Sequence, residues 1–251
     1  MKPIGIFAAT RWELNAIRRA GPSFTAQSVN GIRCWVGTIG GRSCWLIQTG
    51  VGPRKAAAIS RGLLQVESLS CMVSSGFACA LNAAGIGDVL VGTEVIEHPA
   101  GEHMRLLPCS GSLATHAMKA ADAVKLAAAA GRFVSTAAIV CRGEEKRRIA
   151  RVTQGLGLDM ESAALAAAAQ EAGISFTIIR TVSDVRDEDL PLDFNLFLRP
   201  TGWISGVASC LRDPSSVIQL SRLRRQSHMA GMHLTQFYEK FLSVETLATF
   251  M

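Results

Sequence analysis

Apolar positions along the chain alternate between short runs and longer stretches at helical spacing, the habit of an α/β fold with a parallel or mixed sheet. Ile4–Ala9 reads as a strand, followed by a helix through Glu13 and Ile17. Cys34–Thr38 and Ser43–Thr49 read as a hairpin about Gly40 and Gly41. Gly50-Val51-Gly52 is followed by Pro53, suited to a first helical turn, and Arg54–Val66 then reads as a helix. Cys71–Ser75 and Asp88–Ile96 are predicted strands, Thr115–Ala130 a helix and Thr136–Cys141 a further strand. Met160–Ala172 is an alanine-rich helix closed by Gly173, and Ser175–Val182 is a strand feeding an acidic loop from Asp184 to Asp193. With no internal repeat or long linker, the pattern predicts one domain over residues 1–200 and a helical extension over 201–251.

Composition narrows the class. A chain of 251 residues that is 49% hydrophobic and 18% charged is globular, and disordered or collagen-like readings are excluded. Aromatics are only 6% and alanine runs recur, so small and aliphatic side chains must build the core. Mean hydropathy is +0.25, yet no stretch of about 18 residues stays apolar without a charge or a helix breaker, so no transmembrane span is expected. The first strand starts directly behind Lys2, without the pattern of a secretory signal, and a cytoplasmic protein is expected. Seven cysteines, an odd number without a C-x-x-C pair, predict buried reduced thiols. The scattered histidines predict no metal site. The net charge of +6 comes largely from Arg142–Arg151 and from Arg222, Arg224 and Arg225. It suits an anionic substrate, nucleic acid or an acidic membrane surface without choosing among them.

In an open α/β sheet, ligands bind beyond the carboxyl ends of the strands, so polar residues just after apolar runs are the first candidates. Four places qualify: Glu13, Gly50-Val51-Gly52, Ser74-Ser75-Gly76-Phe77-Ala78, and Ser183-Asp184 after Arg180. A fifth, Asp159-Met160-Glu161-Ser162, lies at a helix start, where an acidic residue also suits the helix dipole.

In order and spacing these five segments resemble the purine nucleoside phosphorylase and methylthioadenosine/S-adenosylhomocysteine nucleosidase superfamily over most of residues 1–200. The resemblance rests on Asp159-Met160-Glu161-Ser162-Ala163-Ala164 and Arg180-Thr181-Val182-Ser183-Asp184, with Gly5–Ala9 leading to Glu13-Leu14 and the glycines before a helix. It implies a three-layer α/β/α fold around a central mixed twisted sheet, no metal or organic cofactor, and a homo-oligomer that acts on a small nucleoside rather than on nucleic acid. The tail, Leu211-Arg212-Asp213-Pro214 and then Leu220-Ser221-Arg222-Leu223-Arg224-Arg225, resembles the hopanoid-associated phosphorylase subgroup. That likeness implies release of adenine from adenosylhopane.

By this resemblance Asp184, positioned by Ser183, donates a proton toward purine N7. Glu161 accepts from the ribose hydroxyls, and Met160 packs on the sugar face. Glu13, with Arg180, activates water in the nucleosidases, whereas a phosphorylase welcomes phosphate, so Gly50, Gly52 and Arg54 are candidates for an anion site and phosphate for a co-substrate. A carboxylate beside a phosphate dianion is awkward, and Glu13 leans toward water. Gly76, Phe77 and Ala78 are candidate substrate contacts, although Cys79 and Ala80 stand where the family carries glycines. The loop between Cys141 and Asp159 is short and lacks the family's aromatic stacking residue.

Each motif also has a plainer structural reading. Ser183-Asp184 could cap a turn, Glu161 could be a helix-start carboxylate beside a core methionine, and Glu13 could be a solvated first-turn residue. Arg54 and Lys55 read as an ordinary charged helix face, and Ser75–Leu81 as a strand-to-helix turn without ligand. Ser216–Phe241, with Val217, Leu220 and Leu223 near the arginines, reads either as a basic helix held at anionic lipid on the inner membrane face or as a helix packed on its own domain or a second subunit. Two other functions compete: a general methylthioadenosine/S-adenosylhomocysteine nucleosidase, and a non-catalytic nucleotide-binding module, which lacks a G-x-G-x-x-G.

Overall fold

The computed structural model describes residues 2–98, 105–190 and 215–243. Cys210, the Leu211–Pro214 motif, Val217's side chain and the loop beyond Leu190 lie outside the described residues. The strands are β1 (Ile4–Ala8), β2 (Phe24–Val29), β3 (Ile32–Ile39), β4 (Arg42–Gln48), β5 (Cys71–Ala80), β6 (Val89–His98), β7 (Leu106–Pro108), β8 (Ala128–Thr136), β9 (Gly157–Asp159) and β10 (Ser175–Val185). The helices are α1 (Arg11–Arg18), α2 (Pro53–Leu64), α3 (Gly111–Ala123), α4 (Gly143–Thr153), α5 (Ser162–Glu171) and α6 (Ser215–Phe241).

All ten strands join one mixed sheet in the order β10-β6-β8-β9-β5-β1-β4-β3-β2, with β7 on β6. Because β5 also pairs with β10 in parallel, the far end of the sheet curls into a closed ring. Alternation along the strands sorts side chains to two faces. Ile4, Ile6, Ala8, Cys71 and Val73 pack under α1, α3 and α6, and Phe7, Met72 and Ile47 under α2 and α5. This is the three-layer arrangement the resemblance implies.

The long C-terminal helix is part of that core. Leu234, Phe237, Tyr238 and Phe241 are buried against residues of α1, α3 and the sheet. Thr235 Oγ1 donates to Ala16 O at 2.7 Å, and His116 Nε2 lies 2.7 Å from Phe241 O. Among the described residues no helix is long and apolar enough to cross a membrane. Six of the seven cysteines are described, all as free thiols.

The structure corrects four local expectations. The predicted helix Thr115–Ala130 stops at Ala123: Lys125 takes a left-handed φ of 57°, and Ala128, Ala129 and Ala130 pair with Val89, Leu90 and Val91 as a strand. Sheet pairing overrides alanine's helix propensity. The predicted strand Thr136–Cys141 is a loop, because β8 ends at Thr136. Ser75–Leu81 is no strand-to-helix turn, since β5 continues to Ala80. The expected loop from 141 to 159 contains α4 and β9.

Candidate active site

The polar groups gather where β1, β5, β9 and β10 end. Thr10 caps α1: its side chain accepts from Glu13 N, while Glu13 Oε2 accepts from Thr10 N at 2.8 Å and from Thr10 Oγ1 at 2.7 Å. This capping box fixes the glutamate on the first turn. Glu13 is nonetheless buried, at 5% exposure, and its Oε1 takes the N–H of Phe77 on β5 at 2.8 Å. The reading of Glu13 as a solvated first-turn residue therefore does not hold. Both oxygens are oriented, and Oε1 keeps a lone pair for a further donor.

Gly76 makes that crossing feasible. Its φ is +140°, and a Cβ there would sit 2.1 Å from Glu13 Oε1 and 2.8 Å from Arg180 Nη1. The missing side chain lets the α1 carboxylate and the β10 guanidinium approach over one strand.

Arg180 is fully buried and served by a dense set of acceptors. Nη2 donates to Asp159 Oδ2 at 2.8 Å, Ser74 Oγ at 2.9 Å and Ser162 Oγ at 3.2 Å, and Nε to Asp159 Oδ2 at 3.2 Å. Asp159 is held in turn by Ser135 Oγ at 2.5 Å and by the hydroxyl of Ser162. Such a network fixes a buried cation without leaving it unpaired.

Glu161 stands at the start of α5, with Oε2 4.0 Å from Arg180 Nη2 and Oε1 accepting the N–H of Gly52 at 2.7 Å. That N–H belongs to the residue capping the N-terminus of α2, where the helix dipole favours an anion. Burial outweighs both partners: desolvation, with Asp159 and Glu13 adding like charge, pushes the Glu161 carboxyl up to about 7.

Asp184, at the bulged end of β10, accepts from Ser183 Oγ at 3.1 Å and from Lys146 Nζ at 2.9 Å. Lys146 comes from α4 and is completely buried. Sequence reasoning missed it.

Glu13, Met160, Glu161, Ser183, Asp184, Phe77 and Ala78 all line one cavity of ≈ 260 Å³. That is near the lower end of small-molecule pockets, about 300 Å³. Its apolar walls include Ile139, Val140, Leu158 and Leu190, with Phe77 the aromatic side chain among its lining residues. Ile139 and Val140 explain the false strand, because their apolar character serves the cavity wall.

Gly76 and Arg180 lie beneath this wall. Of the anion-site candidates, Gly52 gives its N–H to Glu161, Arg54 is exposed on α2 and Gly50 is half-buried before it, and none of the three is among the residues lining the cavity. A wider groove of ≈ 470 Å³ on the outer side of α4, lined by Arg147, Arg151 and Arg186, contains none of the acids. Among the described residues no cluster of three or more His, Cys, Asp or Glu could hold a metal ion.

A model of the phosphorylase superfamily matches residues 3–199. The chain belongs to the phosphorylase superfamily. A 5'-methylthioadenosine/S-adenosylhomocysteine nucleosidase of Shewanella baltica is 25% identical over 221 residues, spanning 81% of this chain and 93% of the relative. Among solved structures, the Neisseria meningitidis 5'-methylthioadenosine/S-adenosylhomocysteine nucleosidase in complex with methylthio-immucillin-A superposes with a TM-score of 0.76 at 20% identity, over 97% of this chain and 99% of that one. Futalosine hydrolase of Helicobacter pylori superposes with a TM-score of 0.72 at 18% identity, over 94% and 97%. The superfamily fold thus extends over nearly the whole chain, α6 included.

Proposed function

We propose that this phosphorylase-superfamily member is a nucleosidase that hydrolyses the bond between ribose C1′ and adenine N9 in a 5′-substituted adenosine of the methylthioadenosine or S-adenosylhomocysteine type. The observation that carries the reading is the convergence of Glu13, Glu161 and Asp184 on one cavity, with Glu13 lodged above Arg180. The curated relatives, named for these two nucleosides, support the substrate class.

Cleavage leaves positive charge on the sugar and negative charge on the base, and the cavity holds a group for each. Glu161 accepts hydrogen bonds from the ribose hydroxyls and faces the cationic sugar. Water adds to C1′ as the bond to N9 breaks; its proton goes to Glu13, and Asp184 supplies a proton at N7 of the departing adenine. Phe77 and the aliphatic walls enclose the base.

Water is favoured over phosphate because, among the described residues, no basic side chain lines the cavity that holds Glu13. Incubation with 5′-methylthioadenosine should therefore release adenine and the free sugar at the same rate with or without phosphate. A sugar 1-phosphate formed only when phosphate is added would sink hydrolysis. No adenine release from any adenine nucleoside would sink the enzyme reading itself. Nothing in the comparisons favours adenosylhopane, and the buried face of α6 is spent on its own domain rather than left for lipid.

Glu161 links binding to stability. With its folded pKa raised from 4.5 to about 7, the native state holds a proton that the unfolded chain has released, so stability falls as pH rises across that interval. Glu161→Gln removes this cost. Melting curves should show the variant gaining on the wild type between pH 5 and pH 8, while adenine release drops by about 10²-fold or more. A melting difference independent of pH would refute the buried-carboxylate account.

A further inference from the structure

We propose that Lys146 is a positioning residue for Asp184: its buried ammonium holds the aspartate against the cavity in an ion pair and thereby sets the pH range over which the bound complex releases adenine. The inference rests on the proposed nucleosidase reading and concerns a residue that none of the acidic motifs includes.

Lys146 lies on the inner face of α4, at 0% exposure, beside Ile149, which packs in an apolar cluster with Val140 and Leu158. A lysine pays a large desolvation penalty to sit there unless it is fully paired. It is, through three acceptors: Asp184 Oδ2 at 2.9 Å, Glu188 O at 3.0 Å and Val185 O at 3.4 Å. The two carbonyls belong to the last residue of β10 and to the turn that follows it, so one ammonium pins the strand end, the turn and the carboxylate between them and the cavity. Ser183 Oγ on Oδ1 completes the clamp, leaving the carboxylate a single orientation.

The charged and titratable groups around this pair come from every neighbouring element. β5 contributes Cys79, whose thiol burial keeps protonated. α6 contributes Arg222, which is engaged with Glu188 Oε1 at 2.5 Å. α4 contributes Arg142 and Arg147, committed to Asp189 and Asp187 at 3.5 and 3.4 Å. Glu13 and Glu161 face the aspartate across the cavity from α1 and α5. Among the described residues Lys146 is thus the cation in direct contact with Asp184, and Arg142, Arg147 and Arg222 are paired with other acids. Burial works against the ammonium, but the charge of Asp184 and its hydrogen bond to Nζ outweigh it and hold the lysine in its charged form.

An ammonium in contact with a carboxylate favours the ionised acid, and an ionised acid has no proton to give. Turnover therefore requires a proton to reach Asp184 in competition with Lys146. Removing the positive charge should make that protonation easier while loosening the geometry. The readout is kcat for adenine release from 5′-methylthioadenosine against pH, because kcat reports groups in the bound complex.

In K146M the alkaline limb of kcat should move up by about one pH unit or more, with the plateau about 10-fold or more lower because Asp184 has lost its guide. K146R, which keeps the charge, should return the limb to its wild-type position. K146Q retains a donor for the carbonyls of the turn and serves where K146M does not fold; it should show the same upward shift. In an Asp184→Asn background K146Q should change kcat by less than about twofold, since the lysine acts through the aspartate.

A folded K146M or K146Q with an unmoved limb overturns the proposal, as does an equal loss in the Asp184→Asn background. Failure of the wild type to release adenine is a different result: it removes the nucleosidase reading before the lysine is tested.

Discussion

Asp184→Asn should lower kcat for adenine release by about 10³-fold, the loss expected when a general acid is replaced by a group with no proton to donate. The change is nearly isosteric: the asparagine oxygen can still accept from Lys146 while its amide donates to Ser183 Oγ, so the cavity keeps its shape. What disappears is the negative charge opposite a lysine with no access to water. Stability should fall by roughly 2 kcal/mol, the worth of a hydrogen bond to a charged group, and the melting temperature with it. KM should change little, because the purine contacts remain. Steady-state kinetics alongside a melting curve would separate the effects. Turnover within a few-fold of the wild type in a folded variant would remove Asp184 from the chemistry.

Gly76→Ala tests the other side of the site. The new methyl group would occupy the space of Glu13 Oε1 and press on Arg180, at a residue whose φ of +140° already disfavours any side chain. Glu13 must leave, and with it go the Phe77 hydrogen bond and half of the α1 capping box. We expect stability to fall by about 2–3 kcal/mol from strain and the lost bonds, and adenine release by about 10²-fold or more. Adding Glu13→Ala to this variant should recover part of the stability without any activity, because the two tightest contacts of the methyl are then gone and only Arg180 Nη1 remains close. Additive stability losses in the double variant would show that the two residues do not share that space.

Much of the site was legible because its chemistry sits in contiguous motifs. Met160-Glu161 follows the end of β9 and Ser183-Asp184 lies among the last residues of β10, where a sheet delivers side chains to a crevice. Glu13 is marked by Thr10 three residues before it, a capping signature, but its burial under Phe77 depends on a strand distant in sequence. α4 escaped detection for a definable reason. Its inward stripe runs through Gly143, Lys146, Ile149 and Thr153, so only one of four buried positions is strongly apolar. The usable signal was electrostatic: Glu144 and Glu145 in its first turn and Arg151 in its last. Thr136–Cys141 failed in the opposite sense, since Ile139 and Val140 are apolar to wall a cavity rather than to form a strand.

By itself the sequence determined the α/β class and most of the elements, and its short motifs marked the three acids that line one cavity, because periodicity and short motifs are local properties of the chain. Tertiary structure alone decided that Ala128–Ala130 is a strand, that the sheet closes through β5 and β10, that Arg54 stays outside the cavity and that Lys146 meets Asp184. Those outcomes depend on pairing and burial between residues far apart in the chain, and the energy of a buried charge is set by the partners that folding brings to it.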